Sequence, residues 1–337
     1  MGQGAWKSDQ YTQDTQARRA ANIPDFDHDQ KVRTGQASGI HKALDPKTVA
    51  GPTSPLMGQN VRESRDSDEH PESLPIAVFF DVTGSMGWIP VALQQKLVSL
   101  MDVVLAKTGL KDPQVLVGAI GDATCDQYPF QVGQFESDNR FDEALRSMIL
   151  EGGGGGQTHE SYGLAFRFAA DHTATDSFEK RGKKGYLFTM GDEMPWPVVS
   201  AKEVRNIFGI GCEDDESVKD LVARASEKWE IYHICLTGGT SHGSDPKVHK
   251  AWRDLLGERL VMLDDADLVC ETIAGIIHML EGAHDLMKVA DDLALTGNAR
   301  TSVSNALAPI AKTLLPVHVA TGDLPDGLGG TSGVSPV

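Results

Sequence analysis

The chain is short of the features that mark secreted, membrane-spanning or nucleic-acid-binding proteins. Its four cysteines, Cys125, Cys212, Cys235 and Cys270, are scattered with no C-x-x-C pair, which reads as buried free thiols in a reducing compartment. Basic residues are outnumbered 31 to 48, for a net charge of −17. That balance excludes a nucleic-acid groove or an anionic membrane surface as the main partner. Aromatic residues make up only 6% and the hydrophobic content is an ordinary 40%. No run approaches the ~18 apolar residues that a membrane span requires. The opening residues contain no apolar core of signal-peptide type, and Trp6 stands where a myristoylation signal has Ser or Thr. A cytoplasmic location is the expectation.

What the chain does have is organised unevenly. Residues 1–73 are polar and broken by Pro, Gly, Ser and Asp, as in GPTSPLMGQN and RESRDSDEHPES, and read as a largely disordered arm from which short pieces dock. From Leu74 onward, strand-like runs at 76–80, 114–120, 128–135, 185–190, 230–236 and 259–263 alternate with helical patterns at 88–107, 138–149, 160–172, 198–208, 215–228, 246–256 and 265–281. This alternation predicts an α/β fold: a doubly wound, mostly parallel six-stranded sheet with helices on both faces. The strands at 114–120 and 128–135 are joined by GDATCDQ, too short for a helix, so they are expected to pair as an antiparallel edge hairpin. The tail, 283–337, reads as one or two helices marked by Leu286, Val289, Leu293, Val303, Leu307 and Ile310, followed by a disordered end.

Three loops at the carboxyl ends of predicted strands carry oxygen-bearing side chains. An open α/β sheet binds its ligands at such ends. In the first loop the apolar run Ile76–Phe80 stops at Asp81, and Thr83 and Ser85 follow at steps of two. The second is GGGGGQTHES, with Thr158 and Glu160. In the third, YLFTMGDEMPW, a strand delivers Asp192. One carboxylate and two hydroxyls converging from a single loop suit a hard divalent cation such as Mg²⁺ or Mn²⁺.

The D-x-T-G-S loop, the Gly-rich loop with a Thr and the strand-end Asp resemble, in that order, the metal-ion-dependent adhesion site of von Willebrand factor A domains. Thr83 here stands where that family usually has Ser. The resemblance covers about residues 74–282 and implies the Rossmann-like fold of that family. It also implies Asp81, Thr83, Ser85, Thr158 and Asp192 as metal ligands, and no catalysis of the protein's own. It implies a protein partner that supplies an Asp or Glu side chain to the open metal position, in an adaptor or scaffold serving an AAA+ ATPase or multi-protein machine. Five glycines precede Thr158, and Glu160 lies nearer the usual spacing. Thr158 is the expected ligand, with Glu160 as its replacement or supplement. With Asp81 and Asp192 as the only anions the ion is neutralised and electrophilic, whereas a bound Glu160 makes the site anionic.

Other readings stay open on the residues alone. Asp81, Thr83 and Ser85 are good helix-capping types, and Thr158 and Glu160 suit a helix start. The five glycines read equally as a hinge away from the site. FFDVTGSM also looks like the strand-end aspartyl nucleophile of haloacid-dehalogenase phosphotransferases, with Asp122 and Asp126 of the G-D-x-x-x-D stretch as Mg²⁺ carboxylates. That element comes last in such chains, yet here it falls on the very next strand. A metal-free scaffold of the same fold is a third reading. His233 reads as a core histidine, His159 as a loop histidine, and Lys180-Arg181-Gly182-Lys183-Lys184 as a solvated turn or a patch for an acidic partner.

Overall fold

Long apolar runs that lack polar alternation suit strands covered on both sides, and the centre of the molecule is built from them. The computed structural model describes residues 4–47, 61–153, 156–209, 213–283 and 285–314. Its main sheet has six strands: β1 (Leu74–Asp81), β2 (Pro113–Ile120), β3 (Phe130–Val132), β4 (Gly185–Gly191), β5 (Trp229–Leu236) and β6 (Leu260–Leu263). Their order across the sheet is β6-β5-β4-β1-β2-β3. All neighbours are parallel except the β2–β3 edge pair, which is antiparallel with Gly118 opposite Val132. The mixed α/β class, the six strands and the edge hairpin are therefore as expected. The edge strand is shorter than 128–135, because only Phe130–Val132 keep the ladder.

All eight residues of β1 are buried, and they alternate between two cores. Ile76, Val78 and Phe80 pack with Leu93, Leu97 and Ile273 on one face. Ala77 and Phe79 pack with Phe166, Phe168 and Trp252 on the other. The helices are α1 (Ser8–Ala20), α2 (Asp27–Arg33), α3 (Ile89–Leu97), α4 (Leu100–Lys107), α5 (Arg140–Arg146), α6 (Gly163–Asp171), α7 (Asp176–Arg181), α8 (Ala201–Phe208), α9 (Val218–Ala225), α10 (Pro246–Leu256), α11 (Val269–Leu280), α12 (Leu286–Asp292) and α13 (Gly297–Leu314). The helix expected over 88–107 is two, α3 and α4, bent by 45°. Its apolar face runs on through the break at Val98–Ser99, so the periodicity does not reveal it. No single described helix is long and apolar enough to cross a membrane.

The segment read as a disordered arm carries structure where it is described. Phe26 and Leu44 enter the main core, and Arg62–Ser64 pairs in parallel with Thr173–Thr175. Polar contacts hold α1 and α2 in place. Trp6 Nε1 donates to Asp102 Oδ1 at 2.7 Å, Arg18 pairs with Asp142 at 2.8 Å, and Asp29 Oδ1 accepts from the Leu150 amide at 3.2 Å while Arg33 donates to the Leu150 carbonyl. A few anchors in a polar stretch are enough to dock it, and averaged composition conceals them. Residues 48–60 and the end beyond Leu314, also read as disordered, lie outside the described residues. In the tail, Val303, Leu307 and Ile310 of α13 join the main core. Cys125 is exposed and Cys235 and Cys270 are buried, all as free thiols; Cys212 lies outside the described residues.

Candidate metal centre

The strand order reverses between β1 and β4, so the crevice beyond their carboxyl ends is the topological switch point. Asp81 ends β1 and Asp192 follows β4; both are fully buried. After Asp81 the chain turns into a short 3₁₀ segment, Gly84–Met86. Asp81 Oδ1 accepts from the Thr83 amide at 2.8 Å and from the Thr83 hydroxyl at 2.6 Å. Ser85 Oγ donates to Asp192 Oδ1 at 2.8 Å, and the two hydroxyl oxygens stand 3.2 Å apart. Each hydroxyl has one hydrogen to give. With those hydrogens given to the two aspartates, lone pairs of Thr83 Oγ1 and Ser85 Oγ remain free to accept. This is a donor set of oxygen atoms, and it fits a hard cation.

Backbone packing holds these groups in place. The Gly84 amide donates to the Gly153 carbonyl at 2.6 Å, and the Gly152 amide to the Val82 carbonyl at 3.2 Å. A Cβ on Gly84 would lie 2.7 Å from the Gly153 oxygen. The Gly-rich loop is thus seated on the Asp81–Ser85 turn, which removes the reading of it as a hinge away from the site; Gly154 and Gly155 lie outside the described residues. Tyr162 donates to Asp81 Oδ2 at 3.3 Å. That reach requires glycine at 191, where a Cβ would lie 1.8 Å from the Tyr162 hydroxyl oxygen. The loop after β5 closes another side: the His242 amide donates to Asp192 Oδ2 at 2.8 Å and the Ser241 amide to the Ser85 carbonyl at 3.1 Å.

Glu160 lies on a two-residue strand, His159–Glu160, paired in parallel with Met194–Pro195. This pairing sets it beside Glu193. Carboxylate oxygens of Asp81, Glu160 and Glu193 all lie within 4.8 Å of one another, and Oε2 of each glutamate is buried without a hydrogen-bond partner. Burial, opposed by the Thr83 hydrogen bonds and reinforced by Asp192 and Glu193, pushes Asp81 up to about 8. Burial and then the Asp81 charge push Glu160 up to about 12. Burial also raises Glu193, against a hydrogen bond with Glu160 that works the other way. Among the described residues the basic group at hand is the half-buried His242, whose Nε2 is 3.4 Å from Glu193 Oε1. Buried carboxylates without counter-charge are held only with protons or with a cation.

Of the residues singled out in the sequence, Asp81, Thr83, Ser85 and Asp192 form one linked chain, and Glu160 joins it beside Asp81. Thr158 is half-buried and takes part through its backbone, the carbonyl accepting from the Met194 amide at 3.1 Å. Among the described residues no hydrogen bond ties its hydroxyl to the four linked groups. Sequence reasoning passed over Glu193, although it directly follows Asp192, and over Tyr162 and His242, whose roles depend on contacts between distant loops. His159 stacks on Trp196 with ring centroids 4.7 Å apart. His233 is a core histidine, bonded to Thr189 Oγ1 at 2.9 Å and kept neutral by burial.

Asp122 plays a different part. Its carboxylate accepts from the Thr124 amide and hydroxyl at 2.9 and 2.7 Å, from Trp196 Nε1 at 3.0 Å, and from the Gln157 amide. Asp126 Oδ2 accepts from the Asp122 amide at 2.7 Å. The GDATCDQ turn is therefore an internally bonded brace for the Gln157 loop and Trp196.

No family model matches the sequence, and no curated protein matches it. Solved structures similar to the chain include the pilus adhesin SpaC from Lactobacillus rhamnosus GG in its open conformation, with 11% identity over 69% of this chain and 31% of that one, and a TM-score of 0.40. Proximal thread matrix protein 1 from the mussel byssus is similar at 15% identity over 62% of this chain and 46% of that one, also with a TM-score of 0.40. The chain thus spans less than half the length of these structures. Likeness at this level carries no argument about function.

Proposed function

We propose that the protein is a divalent-cation-dependent protein-binding module of the von Willebrand factor A type, with the doubly wound arrangement of that family. Asp81, Thr83, Ser85 and Asp192 would hold the ion, Mg²⁺ or Mn²⁺, at the switch point, with Glu160 close by. The observation that carries this reading is the chain of close oxygens, Thr83 Oγ1 on Asp81 at 2.6 Å, Ser85 Oγ on Asp192 at 2.8 Å, and the two hydroxyl oxygens 3.2 Å apart. The bound ion would supply an electrophilic position for a partner's Asp or Glu side chain. The unpartnered Glu160 and Glu193 oxygens favour a cation over a metal-free scaffold. The engagement of Asp122 by Thr124, Trp196 and Gln157 favours binding over the phosphotransferase reading, which needs that carboxylate for Mg²⁺.

The test is thermal melting of chelator-stripped protein. A ligand that binds only the native state adds about 2.7 kcal/mol of stability at a hundred times its Kd. Millimolar Mg²⁺ or Mn²⁺ should raise the melting temperature by several degrees, and Asp81→Asn should abolish the rise. An unchanged melting temperature with both ions rejects the proposal. A stoichiometric beryllofluoride adduct at Asp81 would instead favour the phosphotransferase.

A further inference from the structure

We infer that the centre has two cation positions that share Asp81, the second formed with Glu160 and Glu193. This deepens the proposed function and rests on it. Asp81 belongs to two oxygen clusters. On one side Oδ1 is chained through Thr83 and Ser85 to Asp192. On the other, Asp81, Glu160 and Glu193 bring carboxylate oxygens within 4.8 Å of one another. The second cluster is more than a gathering of acids on a surface. Glu160 and Glu193 are each only 3% exposed, and each holds an oxygen with no hydrogen-bond partner. Unmet acceptors of this kind normally have a partner in a folded protein.

Charge balance points the same way. Asp81, Asp192, Glu160 and Glu193 are four buried carboxylates. Among the described residues no Lys or Arg pairs with any of them. One divalent ion leaves two negative charges in a desolvated site, which repels a partner's carboxylate. Two divalent ions bring the four to neutrality, and a neutral centre can admit an anionic side chain. The second position therefore accounts for how a site this acidic engages an acidic group. The competing arrangement is a single ion with a proton held between Glu160 and Glu193.

Counting bound ions separates the two arrangements. Chelator-stripped full-length protein is dialysed to equilibrium against millimolar MnCl2, at physiological ionic strength to screen the acidic surface, and protein-bound Mn²⁺ is measured by elemental analysis. Two equivalents are expected, falling to one in Glu193→Gln, with Mn²⁺ paramagnetic resonance changing from a spin-coupled to an isolated-ion spectrum. A glutamine amide can donate to Glu160 in place of the shared proton, so the competing arrangement gives one equivalent in both proteins. One equivalent in the wild type overturns the second position and leaves the first in place. None overturns both. Two equivalents retained in Glu193→Gln also overturns the assignment to Glu193.

Discussion

Acidic side chains gather near both ends of strands β1 and β4, and the two ends treat them in opposite ways. At the amino-terminal ends, Arg65 pairs with Glu63 at 2.9 Å and with Asp176 at 2.8 Å, and it also reaches Glu179. Asp66 accepts from Arg181 at 2.7 Å and from Lys180 at 3.2 Å, and Arg181 also donates to the Ser73 carbonyl at 2.7 Å. Lys180 and Arg181, from the basic run that read as a solvated turn or a patch for an acidic partner, are half of this clamp. Burial tends to raise Asp66, but hydrogen bonds from Arg181, Ser73 and Lys180 win and bring it down to about 2. At the carboxyl-terminal ends, Asp81 and Glu160 are driven up to about 8 and about 12. The chain satisfies one set of acids with its own cations and leaves the other without them. The first set is a fastening and the second, on the proposed function, a binding site.

The comparison breaks most visibly if the fastening is cut. Arg65→Ala leaves Glu63 buried without its cation and Asp176 with Lys180 alone, and should cost roughly 1.5–3 kcal/mol, the range for hydrogen bonds to charged groups, read as a fall in melting temperature. Glu160→Gln should not do so in stripped protein: a neutral amide in place of a buried carboxyl that burial already holds protonated should leave stability unchanged or raised. If both substitutions destabilise equally, the two ends are alike and the contrast fails.

A pH series sharpens the same contrast. An unfolded aspartate titrates near 3.9. Asp66, depressed in the fold to about 2, contributes stability that is present above the unfolded value and lost as pH falls toward 2. Asp81, raised to about 8, opposes folding increasingly as pH rises from about 4 toward 8, because the unfolded chain gives up that proton first. Stripped protein should therefore melt highest in mildly acidic buffer and lose stability in both directions. Mg²⁺ should restore the alkaline side only. A stripped protein that is most stable at pH 8 would contradict this assignment.

The smallest expected difference lies within the Gly-rich loop. Thr158 joins the site only through its backbone carbonyl, whereas Glu160 turns a buried carboxylate toward Asp81. Thr158→Ala should change Mg²⁺ affinity less than ~3-fold, and Glu160→Gln by ~10-fold or more, about 1.4 kcal/mol. Calorimetric titration of the two variants measures both, and the opposite ranking would return Thr158 to the ligand set expected from the resemblance.

The pattern of legibility follows the physics. Strands buried on both faces announce themselves as apolar runs, so the six strands and the delivery of Asp81 and Asp192 to strand ends could be read directly. The hydroxyls at 83 and 85 were visible because their spacing lies within one loop. Glu193 was not, since only the pairing of His159–Glu160 with Met194–Pro195 reveals that it faces Glu160. Docking of short pieces of the arm is expected from the sequence, but that α1 and α2 are the pieces is hidden for a similar reason. Isolated anchors such as Phe26 and Leu44 do not move a composition average, but each fills a place in a core supplied by distant residues.

Gly191 gives the centre a weak point that a search for ligands would overlook. It binds nothing, yet the Tyr162 hydroxyl occupies the place where its side chain would begin. Gly191→Ala would force either the phenol away from Asp81 or β4 away from β1. A single methyl group there would disarm the proposed centre while every candidate ligand stayed in the chain. In a survey of random mutations, the costliest position in the site would be one with no chemistry of its own.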